Sequence, residues 1–498
     1  MKRYKTLGIL LLVLVLICTA TFLTSRHEKK QEQIKSTGEP IVTIPEDTVT
    51  ALSWEYEAGS GLSFHKEDGS WVYDDDTAFP VSEEKISGIL SHFTSFGAVF
   101  AIDEVEDYGQ YGLEKPQCTL TITADSGITE LKLGDYSQMD QQRYVDIGDG
   151  KVYLVSDDPM DFLDAALSSM VKNDTTPGFE TVTGIQLSGS GSGEIVRMED
   201  SGYSYSDDDV FFWKEDGSYL PLDKSAVTKF VNAITTLNLQ GYVTYNVSEE
   251  ELAEYGLDEP EKTIQVDYTN TDSETKKAVS GTFTVHIGQN RQELDAARQA
   301  EEKGETPDSV TKYVRVGDSQ IIYPLSDSAY DTLTKDTYND LRHREVFWGS
   351  LDDAARIDIT LEGETHTLVS EKEKDGTLSW YFAEDISAET EETSEAAGET
   401  AVSNETDTVE APDSVDLTDF TDALAALSAD SFTEDTPTGK EELHLALTLN
   451  REDVQTVDMI FYRQDGTNCL AVVDGKPVSY VSRASVMKLV EAVQAFVL

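Results

Sequence analysis

The segment Tyr111-Gly-Leu-Glu-Lys-Pro116 returns 144 residues later as Tyr255-Gly-Leu-Asp-Glu-Pro260, inside surroundings that match in kind and order. A chain that repeats itself at this spacing folds as tandem modules, and such modules commonly serve as scaffolds or binding surfaces. Phe64-His-Lys-Glu-Asp-Gly-Ser-Trp71 opens the first copy and Phe212-Trp-Lys-Glu-Asp-Gly-Ser-Tyr219 the second. A helix pattern follows in each. Ile86, Ile89, Leu90 and Phe93 recur at i, i+3, i+4 and i+7, as do Val227, Phe230, Val231 and Ile234; that spacing makes one apolar stripe. Ser82 and Asp223, four residues before each stripe, are the expected N-caps.

Alternating runs come next. Thr119–Ile122 and Thr263–Val266 read as half-buried strands. Leu131–Asp135 answers to Val285–Gln289, Tyr144–Ile147 to Tyr313–Val316, and Val152–Val155 to Ile322–Leu325, with a short closing helix expected after each. The spacing grows to 169 residues between Tyr144 and Tyr313, which places an insertion at 289–311 of the second copy. A third, degenerate copy starts near Arg356. Asp375–Trp380 resembles the hairpin, Phe420, Ala423, Leu424 and Leu427 repeat the stripe, and Val486, Leu489, Val490 and Val493 form a closing helix. It lacks the Tyr-Gly-Leu-x-x-Pro element.

Leu7 to Leu23 is an uncharged, mostly apolar run at the lower limit for spanning a bilayer. Lys2, Arg3 and Lys5 precede it, so the chain is expected to keep its N-terminus in the cytoplasm and the remainder outside. Ile17 before Cys18 is bulkier than a lipoprotein signal tolerates, and no Ala-x-Ala site follows the run, so a retained signal anchor is favoured over a cleaved signal peptide. The formal net charge of −57, from 95 acidic and 38 basic residues, repels nucleic acid and anionic lipid. No basic residue lies between Lys374 and Lys440, and the Glu/Thr/Ala/Ser tract at 387–414 cannot bury enough apolar surface to order itself. Cys118 and Cys469 occupy non-equivalent positions and read as buried, unbridged thiols.

Signals for chemistry are weak. The seven histidines form no close metal pair, and Ser188-Gly-Ser-Gly-Ser-Gly193 lacks the Lys-Ser/Thr of a phosphate loop, so it reads as a hairpin turn. Asp74-Asp-Asp76 and Asp207-Asp-Asp209 do not follow a calcium loop and are expected as exposed turns. Paired carboxylates for glycoside hydrolysis have almost no specificity in so acidic a chain. The repeated motif has a structural explanation: Gly112 and Gly256 supply positive φ, Leu113 and Leu257 plug the core, and Pro116 and Pro260 start the next strand.

In order and spacing, Trp71, Tyr111-Gly112-Leu113, Pro116, Leu133-Gly134-Asp135, Tyr144-Val145 and Val152-Tyr153 resemble the bacterial domain-of-unknown-function family numbered 4340. So do Tyr219, Tyr255-Gly256-Leu257, Pro260, Ile287-Gly288, Tyr313-Val314 and Ile322-Tyr323, over roughly 45 to 347. The resemblance implies an N-terminally anchored extracytoplasmic protein whose relatives occur beside ABC-type exporters, and it carries over no catalytic residues.

The expected architecture is therefore α+β: tandem modules of mainly antiparallel sheet with packed amphipathic helices, preceded by one transmembrane helix. The segments are a cytoplasmic stub (1–6), an anchor (7–25), a linker (26–44), and modules at 45–178, 179–347 and 348–498. The expected role is a non-enzymatic scaffold or accessory subunit of an ABC-type export assembly, held to the cell membrane, with no cofactor, metal or nucleic acid. The alternative is an extracytoplasmic module binding a peptide, glycan or cation.

Overall fold

The computed structural model describes residues 40–497 apart from 165, 200–201, 373–376, 385–412 and 452–454. The expected stub, anchor and first part of the linker, and residues 387–412 of the acidic tract, lie outside the described residues. Among the described residues no helix is long and apolar enough to cross a membrane.

The first copy carries β1 (Pro40–Val42), β2 (Val49–Tyr56), β3 (Gly61–Glu67), β4 (Ser70–Tyr73), β5 (Phe96–Gly97) and β6 (Phe100–Ile102). It continues with β7 (Cys118–Ala124), β8 (Gly127–Ser137), β9 (Gln142–Asp146) and β10 (Val152–Val155). The second has β11 (Thr181–Gly189), β12 (Gly193–Arg197), β13 (Phe211–Glu215) and β14 (Ser218–Pro221), then β15 (Lys262–Thr271), β16 (Ala278–Gln289), β17 (Lys312–Val316) and β18 (Ile322–Leu325). The third has β19 (Ala354–Leu361), β20 (Glu364–Lys372), β21 (Leu378–Phe382) and β22 (Ala429–Phe432), then β23 (Glu441–Leu449), β24 (Thr456–Arg463), β25 (Asn468–Val473) and β26 (Lys476–Ser482).

Period-2 burial makes these strands. In β7, Cys118, Leu120, Ile122 and Ala124 face the core, while Thr119, Thr121 and Thr123 face outward. The helices are α1 (Glu83–Ser91), α2 (Lys224–Thr235), α3 (Arg291–Glu302), α4 (Asp327–Leu333), α5 (Tyr338–Leu341), α6 (Thr418–Ala425) and α7 (Arg483–Val497). Both expected caps are in place: Ser82 Oγ accepts from Lys85 N at 3.3 Å and Asp223 Oδ1 from Ser225 N at 2.7 Å. The stripe residues Ile86, Ile89 and Leu90, and Val227, Phe230, Val231 and Ile234, are buried.

The first sheet runs β4-β3-β2-β7-β8-β9-β10-β6 and the third β21-β20-β19-β23-β24-β25-β26-β22. These are one topology, so the copy with the most worn sequence keeps the complete sheet. It is the second copy that departs. Its ladder β14-β13-β12-β11-β15-β16-β17 holds one strand more before β15: β11, β12 and β13 stand in the places of β2, β3 and β4, and β14 is added at the edge. The hairpins themselves are alike: Asp68-Gly69 and Asp216-Gly217 both have positive φ, as two-residue turns matching strand twist require.

Three details differ from the sequence reading. The first copy closes on 3-10 turns (Pro159–Asp161 and Leu167–Met170) rather than a helix. Pro116 and Pro260 lie in the turns before β7 and β15, which start two residues later. The insertion at 289–311 folds into α3, a helix with no buried residue.

The chain forms two compact units, one of residues 1–175, 238–251 and 318–324, the other of 176–237, 252–317 and 325–498. In the first unit Trp54, Phe64, Phe93 and Ile122 lie at the centre of the core, and a bridge from Thr244 to Ile322 stands where β6 pairs β10 in the first copy. In the second unit the third sheet packs Leu445, Leu447, Met459 and Phe461 against Phe420 of α6 and Leu489 and Val493 of α7.

Candidate functional site

Sequence singled out Trp71, Tyr111, Gly112, Leu113 and Pro116, with Tyr219, Tyr255, Gly256, Leu257 and Pro260. The fold gathers most of them into one node per copy. In the first, a 3-10 turn (Gly109–Tyr111) ends on Gly112 at φ 69° and drops Leu113 into the core. Gly134 of β8 presses against this turn: a Cβ there would lie 2.2 Å from Tyr111 O, and one on Gly112 would lie 2.6 Å from Asp135 Cγ. In the second copy Gly256 has φ 65°, a Cβ on it would lie 2.5 Å from Gln289 O, and one on Gly288 would lie 2.5 Å from Tyr255 O. Two backbones meet with room for hydrogen only. The Tyr111 and Tyr144 rings pack at 4.9 Å, and Tyr255 and Tyr313 at 5.1 Å. Four motifs separated in sequence are thus one contact. Trp71 and Tyr219 stand outside it on edge strands β4 and β14, with Lys66 Nζ 5.1 Å above the Trp71 ring.

Around this shared geometry the side chains differ. In the first copy Gln117 Nε2 donates to Asp135 Oδ1 at 3.2 Å; in the second Gln289 Nε2 donates to Glu261 Oε2 at 2.7 Å. Gln117 and Glu261 are equivalent, as are Asp135 and Gln289, so amide and carboxylate have traded places. Arg143 completes the first node, donating to Gln117 Oε1 at 2.9 Å, Gly134 O at 2.7 Å and Asp158 Oδ1 at 2.5 Å. Its counterpart Lys312 pairs with Asp327 at 2.5 Å and lies 5.1 Å above the Tyr330 ring. Tyr330 Oη donates to Glu261 Oε1 at 2.8 Å and accepts from Gln289 Nε2 at 2.5 Å. Burial, then the hydrogen bond to Glu261, pushes this phenol well above its usual value. Over the second node opens a cleft of about 420 Å³, lined by Gly256, Glu259, Glu261, Gln289, Arg291 and Arg298.

The largest difference is one residue further along. Cys118 in β7 is a buried thiol, pushed up to about 11 by burial. Its counterpart Lys262 is 0% exposed. The Lys262 ammonium meets the Asp336 carboxylate at 2.6 Å and donates to Ser190 O and, at 3.1 Å, to Gly191 O. The Ser-Gly repeat is therefore the expected hairpin turn, and its carbonyls help hold a buried cation. Burial raises the Asp336 carboxyl, and the Lys262 pairing offsets that only in part.

A second cluster corrects the expectation for Asp207-Asp-Asp209. Asp207 and Asp208 are exposed, but Asp209 is 5% exposed. It accepts from Ser204 Oγ at 2.6 Å and Trp348 Nε1 at 2.9 Å, and pairs with His343 Nε2 at 2.8 Å. The His343 ring lies flat on Trp348 with centroids 4.3 Å apart. Burial pushes the Asp209 carboxyl up, yet the bonds from His343, Ser204 and Trp348 outweigh it and hold it below the usual value. Beside it Tyr205 stacks on Phe347 and joins the core of the third sheet, and Arg451 pairs with Asp207 at 2.6 Å. The β12–β13 connection of copy two is thus locked to copy three. Ser204 and His343 both bind the same carboxylate and not each other, so this is no nucleophile–base relay.

Among the described residues no three His, Cys, Asp or Glu side chains gather to hold a metal ion. No curated protein and no solved structure matches the chain. The family described as Domain of unknown function (DUF4340) matches residues 71–208 and again 213–447, reaching beyond the second copy into the third. With the repeated motif gathered at one node in each of the first two copies and two tandem matches covering most of its length, the chain belongs to the DUF4340 family.

Proposed function

We infer that this chain is a non-enzymatic scaffold or accessory subunit, anchored in the cell membrane by residues 7–25 with its modules outside, and serving an ABC-type export assembly. The observation that supports this reading is the use made of the repeated motif. Its glycines, leucines and tyrosines are spent on internal packing in both copies, and the family signature accordingly describes a way of building a module. Modules joined by the Asp209 cluster suit a protein that holds partners at fixed spacing. Affinity purification of the full-length tagged chain from native membranes in mild detergent tests it. Stoichiometric permease or ATPase subunits are expected; a partnerless chain overturns it.

One observation favours a second reading, a ligand-binding module. In the first unit a cleft of about 800 Å³ has Ile89, Leu163 and Met170 as its floor, Phe162 stacked on His92 at 4.0 Å as a wall, and Asp161 and Asp164 at its rim. A thermal-shift panel of peptides, glycans and organic cations, flat throughout, removes it.

A further inference from the structure

After the first helix of each copy the chain runs along the closing strand of that copy, as β6 on β10, as the Thr244–Ile322 bridge on β18 and as β22 on β26, and each stretch carries an aromatic residue. In the second copy the position is Tyr242, two residues before the Thr244–Ile322 bridge; Phe79 covers it edge-on at 6.2 Å, and the adjoining Tyr245 packs on Phe79 at 4.9 Å and donates to Asp76 Oδ2 at 2.7 Å. In the third copy the aromatic stands one place along: Phe432 of β22 pairs with Ser479, where Ala101 pairs with Tyr153 in the first copy, and it lies under the guanidinium of Arg342 at 4.4 Å and near that of Arg344 at 5.9 Å. There the incoming chain also joins the strand by backbone: Ala429 N donates to Arg344 O at 2.6 Å, and Arg344 Nη2 reaches Ala429 O at 2.5 Å. In the first copy Phe100 of β6 pairs with Leu154, two residues before the Ile102–Val152 pair and so in the register of Tyr242. Phe100 is 62% exposed and Val99 51%. The incoming segment is present as β1, but it carries Pro40 and Val42 where the third copy has Arg342 and Arg344. Among the described residues no cation stands over Phe100.

We propose that the β6 edge of the first copy is a docking site for a basic, extended segment of a partner protein, which adds along the strand and places an arginine over Phe100. Charge argues for this occupant over another. Asp103, Glu104, Glu106 and Asp107, all exposed, follow β6 directly, in a chain of net charge −57. Such a surface attracts cationic segments and disfavours a second copy of itself. A free strand edge supplies main-chain hydrogen bonds, and a guanidinium over an aromatic face adds the side-chain contact that Arg342 already makes within this chain. The surface deepens the scaffold reading by naming the chemistry of a partner.

The test uses full-length protein in mild detergent and an end-blocked, fluorescein-labelled peptide alternating arginine with valine. Fluorescence anisotropy is expected to show saturable binding, weakened roughly tenfold by Phe100→Ala and more modestly by Asp103→Asn with Glu104→Gln. Val279→Ala, a control at another exposed aliphatic side chain, leaves it unchanged. Equal binding by the Phe100→Ala chain, or by a peptide with glutamate in place of arginine, overturns the proposal. So does self-association that Phe100→Ala abolishes. If transport subunits co-purify with wild type and Phe100→Ala alike, the accessory reading survives and this surface falls. If peptide binding depends on Phe100 while no transport subunit is ever recovered, the surface stands and the accessory reading falls.

Discussion

The two motif nodes share a backbone and differ in nearly every polar side chain around it. At both, a glycine in left-handed conformation faces a glycine on the neighbouring strand, with tyrosine packed on tyrosine. Beside that frame the first copy has Gln117, Asp135, Arg143 and Cys118, and the second Glu261, Gln289, Lys312 and Lys262. What cannot be altered is the absence of a side chain. Atoms that form hydrogen bonds can be renegotiated provided each partner is replaced together with its mate.

If the frame is the invariant part, Gly134→Ala and Gly288→Ala should be the most damaging single changes, each by about 4–5 kcal/mol, since backbone oxygen and not a yielding side chain opposes the new methyl. Urea denaturation of the full chain measures this; a loss in one copy only would break the comparison. Next comes the buried pair. Lys262→Ala strands the Asp336 carboxylate and is expected to cost about 3–4 kcal/mol, whereas the equivalent Cys118→Ala costs about 1. Lys262→Met combined with Asp336→Leu should recover most of that loss, and failure to recover would mean the pair is needed for more than mutual neutralisation.

Smaller again is the traded amide. Gln117→Glu alone sets two carboxylates against each other and should cost about 1–2 kcal/mol, while adding Asp135→Gln should restore at least half, read as a double-mutant cycle. Additive losses would deny that the two nodes are interchangeable. Smallest is a pH effect that separates the two buried carboxylates of the second unit. Asp209 is held below its unfolded value near 3.9, so its stabilisation is present above about pH 4 and is lost as pH falls toward the folded value. Asp209→Asn should therefore flatten the acid limb of the stability profile. Asp336 is raised instead, so acidification relieves its cost and Asp336→Asn should not flatten that limb.

Periodicity and capping make the modules legible in the sequence. Both N-caps, both core stripes and the strand parity of Leu120, Ile122, Ile264 and Val266 follow from local rules that burial enforces residue by residue. The motif's structural role was legible for the same reason, through Gly112 and Gly256. Its partners were not, because Gly134 and Gly288 act across the sheet. Lys262 offered a signal that was missed: it falls on the inward parity of its strand, where a charge demands a buried mate. Asp209 offered none, since its burial depends on His343 and Trp348, more than a hundred residues away. The third copy hid its likeness because Tyr-Gly-Leu is absent there; a single glycine makes the close approach, a Cβ on Gly439 falling 1.6 Å from Arg463 O.

Helix α3 leaves the second node and returns to it through one doorway: Asn290 N donates to Thr311 O at 2.9 Å, so the two ends of the excursion are already clasped. A loop whose ends are held together by the parent fold imposes little on what hangs from it. The stretch between those residues is therefore a natural socket. A foreign domain with closely spaced termini, grafted there in place of the helix, should fold on its own and be displayed on an undisturbed scaffold.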